Sequence, residues 1–548
     1  MNKFWRFVLL LLCISLLQSV SAQNKISRRH LLHGALSPMR NCYDVKHYDI
    51  ALKVIPDQKR IVGANRIGLL AVQNFNRLQI DFSYKMGIDS IKLGNAVCTY
   101  LRDSDAVWVQ MPLKVESGTF TYLTIYFSGI PVAAKKAPWD GGFVWSSDSS
   151  GKPWIGLACE GIGASVWLPC KDHWSDEADS VDMHLEVPQG LTGVSNGRWV
   201  RTEENSSPGF NRFHWQVRNP INNYSITVNI GDYVYIRDSM LHDEGKAMLE
   251  LNYFVLKGNE EKAATHFQQV KTMIQAFEYY FGTYPFASDG YKLVEAPFWG
   301  MEHQSCVAYG NNYQNNPFNF DFIIIHESGH EWFANSITAD DPAEMWIHES
   351  FTTYSEALYV EYMQGKARSQ HYLNQQKEKI VNKEPMMGPR DVYFHDRHDN
   401  DIYYKGTWML HTMRSMLNND SLWFAALKGF AVRHQKKIIN TTDVLNYFNE
   451  ATGRSWDAFF KQYLHESKIP VLEYKVSGQA DGNLVIRYRW RQVVKGFEMP
   501  VWVTMTKGKW DMIVPQKDWQ LLDLNYFDEK DFKINMETGL FEVKKLVP

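Results

Sequence analysis

His326-Glu327-Ser328-Gly329-His330, followed after 18 residues by Glu349, is the stretch on which the fold and chemistry of this chain turn. Residues four apart on a helix share a face, so both imidazoles can reach one metal ion. Glu327, beside the first histidine, can contact a water on that ion. If Glu349 joins them, the protein supplies three ligands and leaves the fourth position free, the pattern of a catalytic site for one Zn2+. The run Phe320–Ile325 before the motif and Trp332-Phe333-Ala334 after it make one side apolar, as a buried helix requires. Gly329 costs such a helix about 1 kcal/mol relative to alanine. Its missing side chain makes room for a neighbouring helix or a substrate.

The motif sits in a chain of 548 residues, enough for two to four domains. A net charge of -3, with no long basic run, argues against a nucleic-acid partner. Residues 1–22 have the form of a secretory signal. Lys3 and Arg6 start it, Phe7 to Leu17 is apolar, and Val20-Ser21-Ala22 offers small residues for cleavage. The apolar run is too short to span a bilayer, and no later segment has the length and apolarity of a transmembrane helix. A secreted or periplasmic protein, cleaved near Ala22, is therefore expected. Beyond the leader lie five cysteines, Cys42, Cys98, Cys159, Cys170 and Cys306, too few for a disulfide scaffold. Whether Cys159 and Cys170 pair is not decided by spacing.

Three regions follow the leader. Residues 23–40 are basic and polar and are expected to be a flexible N-terminal segment. Residues 41–245 carry short alternating runs such as Tyr48–Val54, Ile61–Leu69, Phe213–Val217 and Ser225–Ile230, predicting an antiparallel β-sheet domain. From 246 to 467 the period changes. Glu260–Tyr280 predicts one long helix, and further helices are expected over 320–336, 345–363, 402–416, 421–433, 442–451 and 455–465. Pro342 separates the motif helix from the one bearing Glu349, so a loop must return Glu349 to the histidines. Residues 468–548 return to strands, Leu484–Trp490 among them, and predict a small C-terminal β domain. The expected class is multidomain α+β.

The set His326, Glu327, His330 and Glu349 resembles the zinc centre of the M1 family of aminopeptidases, of the gluzincin clan. Three further stretches carry the resemblance. Trp299-Gly300-Met301-Glu302-His303 stands where the family has Gly-x-Met-Glu-Asn. Tyr403-Tyr404-Lys405-Gly406 matches Tyr-x-Lys-Gly, and Pro169-Cys170-Lys171-Asp172 matches Pro-Cys-x-Asp. The resemblance covers about residues 42 to 465. It implies a thermolysin-like, mainly helical catalytic domain between two β domains, in a short form without the large C-terminal helical domain of many relatives. It also implies peptide substrates with a free N-terminus. A monomer or weak oligomer is expected.

On that resemblance His326, His330 and Glu349 hold the zinc, and Glu327 moves the proton. Tyr403, rather than its neighbour Tyr404, stabilises the oxyanion. Glu302 and Glu160 bind the free α-amine, and the backbone of Trp299, Gly300 and Met301 holds an extended substrate. Two departures, Trp299 for glycine and His303 for asparagine, bear on specificity rather than catalysis. His348 is expected to pack rather than to bind the metal. Trp139-Asp140-Gly141-Gly142-Phe143 is either a wall of the substrate cleft or a structural turn. Asn205 and Asn223 match glycan acceptors. The alternatives are a hydrolase of the same fold with another substrate (an endopeptidase, or an epoxide or ester hydrolase) and an inactive binding protein.

Overall fold

A computed structural model describes residues 26–393, 399–478 and 483–547. The leader expected over residues 1–22 lies outside them. Three units follow one another: a β-sheet domain, a mostly helical domain with the histidine motif, and a C-terminal β-sheet domain.

The first unit is built on an eight-stranded sheet. Strand Tyr43–Ile55 pairs antiparallel with Arg60–Ala71 and parallel with Ser180–Pro188. The inward residues Tyr48, Ile50, Leu52 and Val54 are buried, as period-two alternation predicts, and a register shift between Val45 and His47 lets Val45 be buried too. A four-stranded sheet, containing Pro153–Ala158 and Gly142–Ser147, brings Glu160 to the cleft. Of the strand expected over Ser225–Ile230, only Asn229 and Ile230 pair in a strand, Asn229–Gly231. Asn223, Tyr224 and Ser225 form a 3-10 turn instead. Asn223 is buried and donates to the Lys171 carbonyl at 2.6 Å, so this glycan motif is closed to modification, while Asn205 is exposed. All five described cysteines are buried and free.

Residues 28–41 depart from expectation. They form two short helices, α1 (Arg28–Gly34) and α2 (Pro38–Asn41), strapped onto the first domain. Three of their basic residues, Arg29, His33 and Arg40, which suggest a solvated tail, find buried acidic partners. Arg40 is fully buried, pairs with Asp81, and donates to the carbonyls of His33, Ala35 and Asp172. His33 meets Asp172 at 2.9 Å, and Asp172 accepts the Ser165 amide. Asp172, the aspartate of the Pro-Cys-x-Asp stretch, thus anchors the strap.

The second unit opens with a five-stranded sheet of Tyr233–His242, Ala247–Leu256, Tyr291–Glu295, Val307–Tyr309 and, at its edge, Gly300–Met301. The division expected at 245/246 falls in the turn of a hairpin whose strands both belong to this sheet. The helix expected over Glu260–Tyr280 is two, α3 (Glu260–His266) and α4 (Gln269–Phe281). The break places the Phe267 ring 5.1 Å from the rings of both Tyr253 and Tyr309.

The motif helix α5 (Phe322–Gly329) is shorter than expected, with His330 as its C-cap. Asp321 caps its start by accepting from the amides of Ile323 and Ile324. The chain then passes through strand Ile337–Ala339 and a 3-10 turn at Pro342–Glu344 into α6 (Trp346–Gln364). A helix not expected from the sequence, α7 (Lys366–Lys377), follows. Then come α8 (Asp401–Leu417), α9 (Asp420–Arg433) and α10 (Thr441–Thr452), the last capped by Asn440. The segment expected as a helix over 455–465 is a short α-turn, Asp457–Phe460, continued as π-helix Lys461–His465.

Glycines set how closely these helices approach. A Cβ on Gly329 would lie 2.7 Å from Ser355 Oγ on α6, so the room it makes is for a helix. One on Gly406 would lie 1.7 Å from Ser350 Oγ, also on α6. Lys405 turns the other way, donating to the carbonyls of Glu466 and Ser467 at 2.8 and 2.9 Å. Gly406→Ala must push α8 off α6 and is expected to cost about 1–3 kcal/mol. Chemical unfolding measures this, and a shift below about 0.5 kcal/mol would mean the contact relaxes freely.

The C-terminal unit is a four-stranded sheet, with Val471–Gly478 and Leu484–Arg491 at its centre, packed with the hairpin Val501–Thr506 and Lys509–Ile513.

Candidate active site

Helices α5 and α6 bring the motif together. The Nε2 atoms of His326 and His330 lie 3.7 and 3.6 Å from the same Glu349 oxygen, Oε2. Donor atoms each about 2.1 Å from one tetrahedral ion stand roughly 3.4 Å apart. Both Nδ1 atoms are engaged elsewhere. That of His326 meets Glu356 at 2.6 Å, and that of His330 meets the Phe333 carbonyl at 2.9 Å and Thr352 Oγ1 at 3.1 Å. The Nε2 lone pairs are therefore aimed at the gap before Glu349. Glu349 Oε2 is buried with no hydrogen-bond partner, a position a cation would satisfy. The residues present fit a single zinc ion.

The electrostatics point the same way. Burial pushes the Glu349 carboxyl up to about 8 and the Glu327 carboxyl to about 7. Burial likewise raises Glu160 and Glu302 well above the ordinary carboxylate range; repulsion from Glu349 and Glu327 adds to the shift of Glu160, and repulsion from Glu160 and Glu327 to that of Glu302. Burial opposes charge on His326, but its bond to Glu356 outweighs this and lifts it to about 10. Such crowding of buried acids is costly unless cations share the site.

Glu327 follows His326 on α5 and opens on the same cleft. A Cβ on Gly300 would lie 2.6 Å from Glu327 Oε1, so glycine is needed where the edge strand passes this carboxylate. Carboxylate oxygens of Glu302 and Glu327 and a ring nitrogen of His330 lie within 4.8 Å of one another. Glu302 and Glu160 each have one buried oxygen without a hydrogen-bond partner. The Glu302 carbonyl is fixed by Asn335 at 2.8 Å and the Glu160 carbonyl by the Tyr393 hydroxyl at 3.1 Å. Met301 and Trp299 line the cleft beside them.

Tyr403, at the start of α8, has its ring 6.1 Å from that of His326 and its hydroxyl facing Glu349. Tyr404 also borders the cleft, but its ring is engaged 4.8 Å beneath the Lys379 ammonium. His348 lies flat against Trp174 and accepts the Ala339 amide at 2.8 Å, away from the triad. Burial depresses it to about 3, so it packs as a neutral ring. His303 is fully buried, outside the cleft lining, and burial holds it too near 3.

Sequence reading passes over Glu356. It lies seven residues after Glu349, two turns along the same face of α6, which is the signal that would have found it. Its other oxygen accepts from the Tyr372 hydroxyl at 2.5 Å and Gln376 at 3.1 Å, both on α7. The unexpected helix thus holds the carboxylate that orients His326. Glu356→Gln is expected to weaken zinc binding about 10–100-fold. Competition with a chelator measures this, and unchanged affinity would remove Glu356 from the site.

Residues 265–463 match the Peptidase family M1 domain. The stretch that holds His326, His330 and Glu349 is thus an M1 peptidase domain. The chain is similar to a leucyl aminopeptidase of Saccharolobus solfataricus, 22% identical over 67% of this chain and 47% of that protein. Aminopeptidase B of Mus musculus is 24% identical over 55% and 46%, and aminopeptidase N of Lactobacillus helveticus 22% over 80% and 52%. The chain spans about half the length of these relatives. Among solved structures, an M1 zinc metallopeptidase of Deinococcus radiodurans shares the fold, with a TM-score of 0.65 and 20% identity over 78% of this chain and 94% of that one. A mutant of that enzyme bound to a Tyr-Ser-Ala substrate gives a TM-score of 0.66 at 19% identity, over 78% and 96%. Among the described residues, no helix is long and apolar enough to cross a membrane.

Proposed function

We propose that this chain is a zinc-dependent aminopeptidase that removes single residues from peptides with a free N-terminus. The observation that carries the reading is the pair Glu302 and Glu160, buried carboxylates with unsatisfied oxygens in the same cleft as His326, His330 and Glu349. A free α-ammonium supplies the missing donors and charge, whereas a blocked terminus supplies neither. Binding the amine here fixes which carbonyl meets the metal and sets the reading frame at one residue. The names of the aminopeptidase relatives support the class.

Zinc in the triad supplies Lewis acidity, polarising a carbonyl and making a water more acidic. The protein's own groups do the rest. Glu327 takes a proton from the attacking water and passes it to the leaving nitrogen. The Tyr403 hydroxyl donates to the oxygen on which negative charge develops. Gly300 and Met301 offer the unpaired edge of their sheet to an extended peptide backbone.

The test compares peptides with free and acetylated N-termini on zinc-loaded wild type and Glu302→Ala. Wild type is expected to release single residues only from free termini. The variant should lose about ten-fold or more in kcat/KM. Internal cleavage of acetylated peptides would sink the reading in favour of an endopeptidase. We also propose that residues 1–22 export the protein with cleavage near Ala22. N-terminal sequencing of the mature chain decides this, and an N-terminus at Met1 would reject it.

A further inference from the structure

At the mouth of the cleft two tryptophans stand uncovered. Trp299 is 44% exposed and Trp139 is 70% exposed, with ring centroids 6.5 Å apart and planes inclined by 51°. Large aromatic rings left in water beside a buried site lose the burial that stabilises them elsewhere in a fold, and this marks a surface for binding. Trp299 is held in place. Its ring stacks on Phe322 at 5.4 Å, Phe322 stacks on His326 at 5.2 Å, and its indole nitrogen donates to Asn311 at 3.1 Å. A rigid wall therefore runs from the metal-side histidine to the cleft mouth.

The direction of the edge strand tells which part of a peptide meets this wall. Gly300–Met301 pairs with Val307–Tyr309 on one side, and its other side is unpaired. A peptide added there with its amine at Glu302 runs back past Met301 and Gly300 toward Trp299, at about 3.3 Å per residue. The residue whose amine is freed comes level with Gly300 and Trp299, beyond the metal from Glu302. Phe322 precedes His326 by one helical turn and so backs the same side.

We infer that Trp299 and Trp139 form a clamp for the side chain immediately after the scissile bond, selecting peptides whose second residue is aromatic or large and apolar. The inference rests on the aminopeptidase reading. Trp139 belongs to the turn that sequence reading left open as a cleft wall, and here it is the outer jaw. Trp299 is the inner jaw, where the family pattern has a glycine.

The experiment measures kcat/KM for alanine release from Ala-Phe-Ala and Ala-Gly-Ala by zinc-loaded wild type, Trp139→Ala and Trp299→Phe. The wild-type ratio is expected to be about ten in favour of phenylalanine. It should fall to about two or below in W139A and stay near the wild-type value in W299F, which keeps a ring. Trp139 is exposed, so its loss leaves the core intact, and circular dichroism with zinc content verifies this. A wild-type ratio near one, or a ratio unmoved in W139A, overturns the clamp while alanine release leaves the aminopeptidase reading standing. If neither peptide loses alanine, both fall together.

Discussion

Glu327→Gln is expected to lower kcat on a free-amine peptide by roughly 10²- to 10⁴-fold, the range over which a positioned general base contributes. The replacement keeps the shape that fits beside Gly300 and removes only the basic oxygen. The proposed zinc ligands are untouched, so metal should remain at one ion per chain, and KM should move little because Glu302 and Glu160, the proposed amine-binding pair, are unchanged. Steady-state kinetics with metal analysis on the same sample checks all three. Near-native kcat would place the base elsewhere. Loss of zinc would mean that Glu327 acts on the metal site instead of on the reaction.

The second large effect concerns stability. Arg40→Ala removes the only cation paired with Asp81 among the described residues and leaves that carboxylate buried. Burial already raises Asp81 above its ordinary range, and Arg40 opposes this. Breaking a buried pair from one side costs about 3–5 kcal/mol, because the remaining charge loses its partner. Three carbonyls also lose a donor, although that of Ala35 keeps the Ser37 amide. Urea unfolding of the N-terminal unit should show a loss of that order, with part of it recovered in Arg40→Ala/Asp81→Asn. A single variant within about 0.5 kcal/mol of wild type would show that the strap contributes little.

The legible parts of this chain are those where one residue type has one physical use. Two histidines a helical turn apart, with acids at 327 and 349, are hard to explain without a metal, and α5 and α6 place them as that chemistry demands. The alternating strands were legible because their inward faces are apolar. What stayed hidden is held by polar contacts between residues far apart in sequence. The strap was concealed because Arg40 finds Asp81 and Asp172 only in three dimensions. Helix α7 was concealed because its inward stripe, Ser369, Tyr372, Leu373 and Gln376, is half polar, serving Glu356 rather than an apolar core. The break after α3 and the early end of α5 follow tertiary contacts that override a continuous helical pattern.

The strap has one more property, which concerns time. His33 lies flat on the Tyr393 ring at 3.9 Å, the Tyr393 amide donates to His30, and the Tyr393 hydroxyl reaches the Glu160 carbonyl. Among the first described residues to be synthesised, α1 thus has a docking partner made more than 350 residues later. At about 5–20 residues per second the wait is roughly 20 to 70 s. Throughout it the basic strap has no Tyr393 to close on, and the loop bearing Glu160 lacks its outer support. The first described helix to leave the ribosome is thereby among the last pieces to be fastened, and the Glu160 side of the cleft is completed only once most of the chain exists.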